Sequence, residues 1–289
     1  MLVAGIVVVL VVVVGLGFTL FGNSGLLRSD DGDSVTIGTT EASQDYWPIF
    51  VRKAKDRGVT IKTVNFSDGN QVNPALAQKQ VDLNLFQHLQ FLADYNVSTG
   101  NHLVPVGSTY IVPLAVYSKR HHSIQDIPDG GTVAIPNDAT NQARALLVLK
   151  AAGLVDLRGG GNIKSTPADV LSGSRVNVVP VAAQQTVASL PSVDAAVINN
   201  NFAQDAGLDP ASAIYQDDPK SAAAEPYINI IVARPDDADN AAFGKVVEAF
   251  HDPEVTAALV KQSKNTAVIV SRPRADLEQI LDRLEGQLR

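Results

Sequence analysis

The segment Ala134-Ile-Pro-Asn-Asp-Ala-Thr-Asn-Gln-Ala-Arg144 carries an apolar strand directly into a helix, and it sets the fold class of the surrounding chain. Asp138 or Thr140 is placed to cap that helix. Asn141 and Arg144 stand three residues apart, so they share one helical face. Because a helix N-terminus attracts anions, a guanidinium beside free backbone N–H groups predicts a socket for one carboxylate. An ordinary capped helix with a solvated Arg144 fits the spacing at least as well.

Outward from this segment, short runs rich in Val and Ile alternate with longer helical patterns. Such alternation is typical of βαβ units and predicts an α/β fold with a largely parallel sheet. We predict strands at Val35–Thr39, Thr60–Phe66, Asp82–Leu85, Thr132–Ile135, Val176–Val181, Ala195–Ile198 and Tyr227–Ala233. We predict helices at Gln44–Arg57, Pro74–Lys79, Leu89–Tyr95, Asn141–Ala152, Gln184–Ser189, Ala241–Phe250, Pro253–Ser263 and Pro273–Leu288.

Two stretches indicate where the chain passes from one lobe to another. The apolar strand Ile111–Ser118 runs into the basic cluster Lys119-Arg-His-His122, and the polar, Ala-rich stretch Asp217–Glu225 precedes another apolar strand. A chain that leaves one lobe and later returns to it forms a bilobed protein with a cleft, where small-molecule sites commonly lie. We therefore predict one lobe from residues 35–118 plus 225–289 and a second lobe from residues 119–224.

Composition excludes several classes of function. The 289 residues include 23 Lys and Arg against 30 Asp and Glu, a net charge of −7, so no nucleic-acid partner is expected. The chain has no Cys, which excludes disulfides, thiolate metal sites, catalytic thiols and a lipidated N-terminal Cys in this sequence. Only five His are present, and no Gly-x-Ser-x-Gly or His-Glu-x-x-His motif occurs. We predict a protein that is not an enzyme and uses no cofactor or metal.

The N-terminus predicts a membrane segment. No residue from Leu2 to Gly22 is charged, and these 21 residues would span about 30 Å as a helix, enough to cross a bilayer. The exit of the run shows no clear small-x-small cleavage site, which favours an uncleaved anchor over a cleaved export signal. A buried core helix is the third interpretation. We predict an anchor or signal at residues 1–22, a tether at residues 23–34, and a binding domain on the extracytoplasmic face of the cell membrane.

Further polar and aromatic side chains follow predicted strands. Phe86 and His88 stand two apart at a strand end, where they can line one side of a pocket, although a lone His is more often a core or surface group. Asn201 belongs to a run of three Asn after an apolar strand, and Asn229 lies at the start of another. Side-chain amides can contact both the ammonium and the carboxylate of a zwitterion, but Asn also favours turns.

Several motifs, in this order, resemble those of the methionine-binding lipoproteins of ABC importers, and the resemblance covers the chain from about Val35 to its end. They are Asn84-Leu-Phe-Gln-His88, Pro113-Leu-Ala-Val-Tyr-Ser118, Ile135-Pro-Asn-Asp-Ala-Thr-Asn-Gln-Ala-Arg-Ala145, Ala195-Ala-Val-Ile-Asn-Asn-Asn-Phe-Ala203 and Pro226-Tyr-Ile-Asn229. The resemblance implies a bilobed periplasmic-binding-protein fold of type II-like architecture. It also implies a methionine-like amino-acid ligand that is delivered to an ABC permease in the membrane, and we expect the binding protein to be a monomer.

The same resemblance implies a role for each candidate residue. Arg144 would bind the ligand carboxylate with help from Asn141. Asn201 and Asn229 would contact the polar backbone of the ligand. Phe86 and His88 would line the pocket for the ligand side chain.

Two features depart from that family. The usual Cys for lipid attachment is absent, so an uncleaved helix is expected to replace the lipid. An aromatic residue expected after the second strand is also missing, because the chain reads Ser67-Asp-Gly-Asn-Gln-Val-Asn-Pro74 there. Another amino acid, a methionyl dipeptide, a metal or another anion therefore stay open as ligands, as does an enzyme on a bilobed α/β fold.

The apolar N-terminus generates a prediction about attachment. We expect the mature protein to begin at or near Met1 and to stay in the membrane fraction through a high-salt wash, because apolar insertion is insensitive to salt. Detergent should release it. N-terminal peptide mapping checks the interpretation: a native protein that begins at about Gly22 or later and is freely released would identify the segment as a cleaved export signal.

Overall fold

The computed structural model of the protein describes residues 33–289. The predicted anchor at residues 1–22, and the tether as far as residue 32, lie outside the described residues. The last two tether residues, Asp33 and Ser34, already belong to the first strand, which therefore begins before the predicted Val35. Among residues 33–289, no helix combines the length and the apolar character that crossing a bilayer requires.

Helices and strands alternate along the described chain, and every strand and helix predicted by the alternation of patterns is present, with ends shifted by a few residues. The strands are β1 (Asp33–Thr39), β2 (Val59–Asn65), β3 (Leu83–His88), β4 (Val104–Ser108), β5 (Tyr110–Ile111), β6 (Ala115–Tyr117), β7 (Gly131–Pro136), β8 (Val176–Val181), β9 (Ala195–Ile198), β10 (Tyr215–Gln216), β11 (Asn229–Ala233) and β12 (Val268–Ile269). The α-helices are α1 (Tyr46–Asp56), α2 (Val72–Ala77), α3 (Leu89–Thr99), α4 (Ala139–Ala151), α5 (Thr186–Ser189), α6 (Asn200–Asp205), α7 (Ala241–Phe250), α8 (Pro253–Gln262) and α9 (Arg274–Leu288).

The strands form two five-stranded sheets and one small pair. The first sheet has the order β2-β1-β3-β11-β4, the second has the order β10-β6-β9-β7-β8, and β5 pairs with β12. The α/β class is confirmed, but the expectation of a largely parallel sheet is wrong, because each large sheet contains two antiparallel pairings. The strands responsible, β6 and β11, are those by which the chain enters the second sheet and returns to the first. Neither follows a crossover helix from a neighbouring strand, so neither is constrained to run parallel.

The predicted continuous strand Ile111–Ser118 is divided in the structure. β5 ends at Ile111, β6 begins at Ala115, and the two strands belong to different sheets. Pro113 lies between them and cannot donate a ladder hydrogen bond, which accounts for the break. The chain changes sheet here and again between Gln216 and Asn229. The lobe boundaries expected after residues 118 and 224 lie close to these two changes and stay predictions.

The sequence patterns did not indicate β4, which contains Pro105 and Gly107. Within residues 33–289, β4 pairs only with β11, and proline is tolerated in such an edge strand. A Cβ atom on Gly107 would lie 2.7 Å from the Val247 side chain, so glycine at this position lets α7 pack closely on the sheet. Pro105 and Gly107 are both unfavourable in strands, so the sequence does not indicate β4. The edge position and the contact with Val247, which make them acceptable here, are seen only in the structure.

Apolar residues cover both faces of the first sheet and hold its strands in place. On one face, Phe50 and Phe250 are fully buried, with their ring centroids 5.7 Å apart. On the other face, α9 buries the apolar residues predicted from its spacing, Leu277, Ile280, Leu281 and Leu284. The second sheet has its own core, in which the central strand β9 is buried along its whole length.

Candidate ligand-binding site

A cavity of about 200 Å³ lies at the carboxyl ends of parallel strands from both large sheets. The segments that follow β1, β3, β7, β8 and β9 all contribute to its wall. Crevices at such strand ends are where open α/β sheets usually bind small ligands. All six candidate residues line this one cavity: Phe86, His88, Asn141, Arg144, Asn201 and Asn229.

Arg144 is buried rather than solvated, with 5% of its surface exposed. Its Nε donates to Asp217 Oδ2 at 2.8 Å, and its Nη2 donates to Asp217 Oδ1 at 3.2 Å and to the Val112 carbonyl at 3.0 Å. The guanidinium also lies 4.0 Å from the centroid of the Tyr227 ring. Its Nη1 has no hydrogen-bond partner among residues 33–289, and Arg144 is one of the residues that line the cavity.

The N-terminus of α4 is capped by Asp138, the first of the two residues considered for that role. Asp138 Oδ1 accepts hydrogen bonds from the backbone N–H and the side-chain amide of Asn141, both at 2.9 Å, and from the Thr140 hydroxyl at 3.2 Å. The prediction of free backbone N–H groups beside Arg144 is therefore wrong at Asn141, because the capping carboxyl already occupies that N–H. Asn141 and Arg144 line the cavity together with Asn137 and the capping residue Asp138.

His88 is buried and neutral. Its Nδ1 accepts from the backbone N–H of Phe91 at 3.1 Å, so the ring proton lies on Nε2, which faces Asn141 Oδ1 at 3.4 Å. Burial, and then the positive charge of Arg144, lower the pKa of His88 from 6.5 to about 3. Asn199 donates to the same Asn141 oxygen at 3.0 Å. These contacts fix the orientation of the Asn141 amide at the cavity wall.

Aromatic rings form the side of the cavity around His88. The Phe86 and Phe91 rings meet edge to face at 5.5 Å, and the His88 and Tyr227 rings do so at 5.3 Å. The segment that lacks the expected aromatic residue lies here as well, since a Cβ atom on Gly69 would come within 3.2 Å of the Phe86 ring. Phe86 therefore packs against bare backbone at the position where a side chain would crowd it.

The two remaining candidates contact the loop after β1 and the strand beside β3. Asn201, in the first turn of α6, faces Thr40 Oγ1 with its side-chain amide at 3.4 Å. Asn229 lies opposite His88 in the pairing of β11 with β3, and its amide donates to the Tyr110 carbonyl at 3.2 Å. Neither side chain caps a helix or closes a turn, which is the role that the turn interpretation gave them.

Sequence reasoning missed a carboxyl group in the cavity wall. Glu41 follows β1, is 5% exposed, and accepts hydrogen bonds from the Tyr46 hydroxyl and, at 2.8 Å, from the Tyr110 hydroxyl. Its position was predictable in principle, because β1 and β3 are neighbouring parallel strands whose carboxyl ends meet at one edge. Sequence reasoning also treated Asp217, the partner of Arg144, only as part of a boundary.

Comparisons with known proteins give a consistent result. A sequence model of the NlpA lipoprotein family matches residues 35–271. The D-methionine-binding lipoprotein MetQ of Escherichia coli is 35% identical over 244 residues, which cover 82% of this chain and 89% of MetQ. The crystal structure of the substrate-binding protein of a methionine transporter from Streptococcus pneumoniae is similar with a TM-score of 0.75 and 33% identity, over 82% of this chain and 95% of that one. A nutrient-binding protein from Burkholderia cenocepacia bound to methionine matches with a TM-score of 0.75 and 35% identity, over 81% of this chain and 99% of that one.

The lowered pKa of His88 predicts how stability depends on pH. Between pH 6.5 and about 3, the unfolded chain binds a proton at His88 and the folded chain does not. The free energy of unfolding is therefore highest above pH 6.5, as far as His88 is concerned, and decreases as the pH falls through this range. The loss is at most about 1.4 kcal/mol per pH unit. Urea unfolding over this range should show a steeper decline for the wild type than for His88→Asn. An exposed control, His122→Asn, should follow the wild type; parallel curves for all three proteins would contradict the assignment.

Proposed function

The chain belongs to the NlpA lipoprotein family, and on that premise we propose that it is the extracytoplasmic solute-binding protein of an ABC importer. It binds D- or L-methionine, or a closely related amino acid, and delivers it unchanged to the membrane permease. The observation that supports this function best is that all six residues proposed for the ligand line one cavity. Membership alone would support only the fold and the general class of activity.

In this proposal the polar end of the ligand meets Arg144. The ligand carboxylate accepts from Nη1, the guanidinium nitrogen that Asp217 and Val112 leave unoccupied. Asn141 supplies its side-chain amide beside it, and Asp217 acts as the positioning residue that holds the guanidinium in place. Asn201 and Asn229 contact the remaining polar atoms of the ligand backbone.

The apolar end of the ligand lies among the rings near Phe86 and His88. A neutral imidazole suits this role. A charged imidazole beside a thioether would lose its hydration without gaining a partner for its charge, which costs free energy. A thioether also makes favourable contacts at aromatic edges. Gly69 places no side chain over Phe86, so this part of the cavity is walled by fewer rings than the resemblance predicted. That difference supports the alternative that the ligand is another amino acid or a methionyl dipeptide.

We also propose where the protein works and how it moves. Residues 1–22 attach a binding domain outside the membrane, in lobes made of residues 35–118 plus 225–289 and of residues 119–224. The protein acts as a monomer, without enzymatic activity, and its two connecting segments bend so that the ligand stabilises a closed form by contacts from both lobes. The closed form then passes the ligand to the permease, and the lobes open to bind the next ligand molecule.

Ligand binding should stabilise the protein against heat. L-Methionine at a hundred times its dissociation constant should add about 2.7 kcal/mol to the free energy of unfolding, which raises the melting temperature by about 5 °C or more. Protein that has been stripped of bound ligand should be compared with methionine, its sulfoxides, methionyl dipeptides and an unrelated amino acid, and the ligand should be recovered unchanged. If none of the methionine compounds shifts the transition, the proposed ligand class is wrong.

Arg144→Ala should weaken binding strongly, because a buried charge pair with the ligand is lost. Truncation of one partner in such a pair costs roughly 2–5 kcal/mol, so affinity measured by calorimetry should fall by about thirtyfold or more. Arg234→Ala is the matched control: Arg234 is also a mostly buried, ion-paired arginine, but it does not line this cavity. Equal affinities for wild type and Arg144→Ala would assign the guanidinium to fold stability alone.

A further inference from the structure

Glu41 is a buried carboxyl group without a positive partner. No Lys, Arg or His among residues 33–289 lies within salt-bridge distance of it. The negative charge of Asp205 also acts on Glu41 and contributes to its raised pKa. Asp205 lies beside the loop after β1, where Ser43 and Gln44 each donate to it at 2.8 Å. Burying an unpaired charge is costly, so a carboxyl in this position needs a compensating group.

The two tyrosines give Glu41 part of that compensation. Burial raises the pKa of Glu41, and the hydroxyls of Tyr46 and Tyr110 oppose the rise by donating to it. Burial and the neighbouring Glu41 raise the pKa of both tyrosines well above 10, so their hydroxyls keep their protons and remain donors. Neither tyrosine supplies a positive charge, so the charge of an ionised Glu41 is not balanced by these two donors.

Among residues 33–289, only Tyr46 and Tyr110 donate to the Glu41 carboxyl, so acceptor capacity remains. A carboxylate can accept about four hydrogen bonds. The amide of Gln44, the neighbouring side chain in the cavity wall, is already engaged, because it donates to Asp205 and accepts from Gln262. A ligand group that donates to Glu41 uses this acceptor capacity, and a positively charged donor also favours the ionised carboxylate.

We propose that Glu41, held by Tyr46 and Tyr110, recognises a protonated amine of the ligand, opposite the carboxylate site at Arg144. The proposal rests on the proposed function and specifies it further. One cavity then presents a guanidinium with a free nitrogen and a carboxyl without a cation, which is complementary to a zwitterion. The amine is either the α-ammonium of a single amino acid or the N-terminal ammonium of a short peptide that ends in methionine.

Calorimetry on Glu41→Gln tests the proposal with three ligands: L-methionine, the desamino analogue of methionine, and glycyl-L-methionine. Glutamine keeps the size and the acceptor oxygen but removes the charge, so the amine-bearing ligand should lose about tenfold in affinity or more. The desamino analogue should change by less than about twofold. A loss with methionine identifies the α-ammonium, and a loss with glycyl-methionine alone identifies the peptide N-terminus.

Glu285→Gln is the matched control. Glu285 is also buried and accepts from Asn96 at 2.9 Å, but it does not line the cavity, so this variant should bind all three ligands as the wild type does. If Glu41→Gln does not fold, Glu41→Asp replaces it, because aspartate keeps the charge but is one methylene shorter. Glu41→Asp should reduce the affinity for the amine-bearing ligand more than the affinity for the desamino analogue.

Two outcomes separate this proposal from the proposed function. A wild-type protein that binds none of the three ligands overturns the proposed function, and this proposal with it. A wild-type protein that binds them, with Glu41 variants that lose affinity equally for ligands with and without the amine or lose none, overturns this proposal alone. In that case Glu41 and its two tyrosines serve only to stabilise the first lobe.

Discussion

A buried guanidinium needs partners for its charge, and the partners of Arg144 connect the main parts of the molecule. Arg144 lies on α4 beside the second sheet, yet it bonds Val112 in the segment that leaves the first sheet and Asp217 in the segment that leads back. Asp217 in turn accepts from the Leu114 backbone at 2.8 Å. One side chain therefore bonds to both connecting segments and also lines the cavity.

The remainder of the cavity wall consists mostly of neutral polar groups that orient one another. Asn141 is fixed by Asp138, His88 and Asn199, so its side chain cannot turn freely to suit different ligands. Such a prearranged set of amides lowers the conformational cost of binding, because few side chains have to be ordered when the ligand arrives. It also keeps the net charge of the site low, so that a ligand without net charge does not meet a strong opposing field.

Local patterns in the sequence predicted what depends on neighbours along the chain. The strand-to-helix unit and a cap at Asp138 or Thr140 follow from spacing within a few residues. The burial of Arg144 does not, because a solvated arginine fits the same spacing. The direction of β6 and β11 did not, because it depends on which sheet a strand enters, and the pairing that decides this joins residues far apart in the chain. Glu41 was missed for the same reason: nothing near it in the sequence indicates Tyr110, and only the fold brings that hydroxyl to its carboxyl. The apolar run Ile111–Ser118 was predicted as one continuous strand, and only the structure shows that it breaks around Pro113 and changes sheet there.

The place of β11 in the first sheet has a consequence for the order in which the molecule can assemble. β11 lies between β3 and β4, yet it follows the whole second sheet in the chain. As the protein is made from its N-terminus, β3 and β4 are complete long before the strand that joins them, while all the strands of the second sheet have already been synthesised. Until residues 229–233 arrive, both strands present unpaired edges, and such edges are prone to wrong pairing. The N-terminal half therefore carries an edge open to wrong pairing until most of the chain has been synthesised. For this sheet, the order of synthesis and the order of pairing are different, and the strand made last closes the gap between two made early.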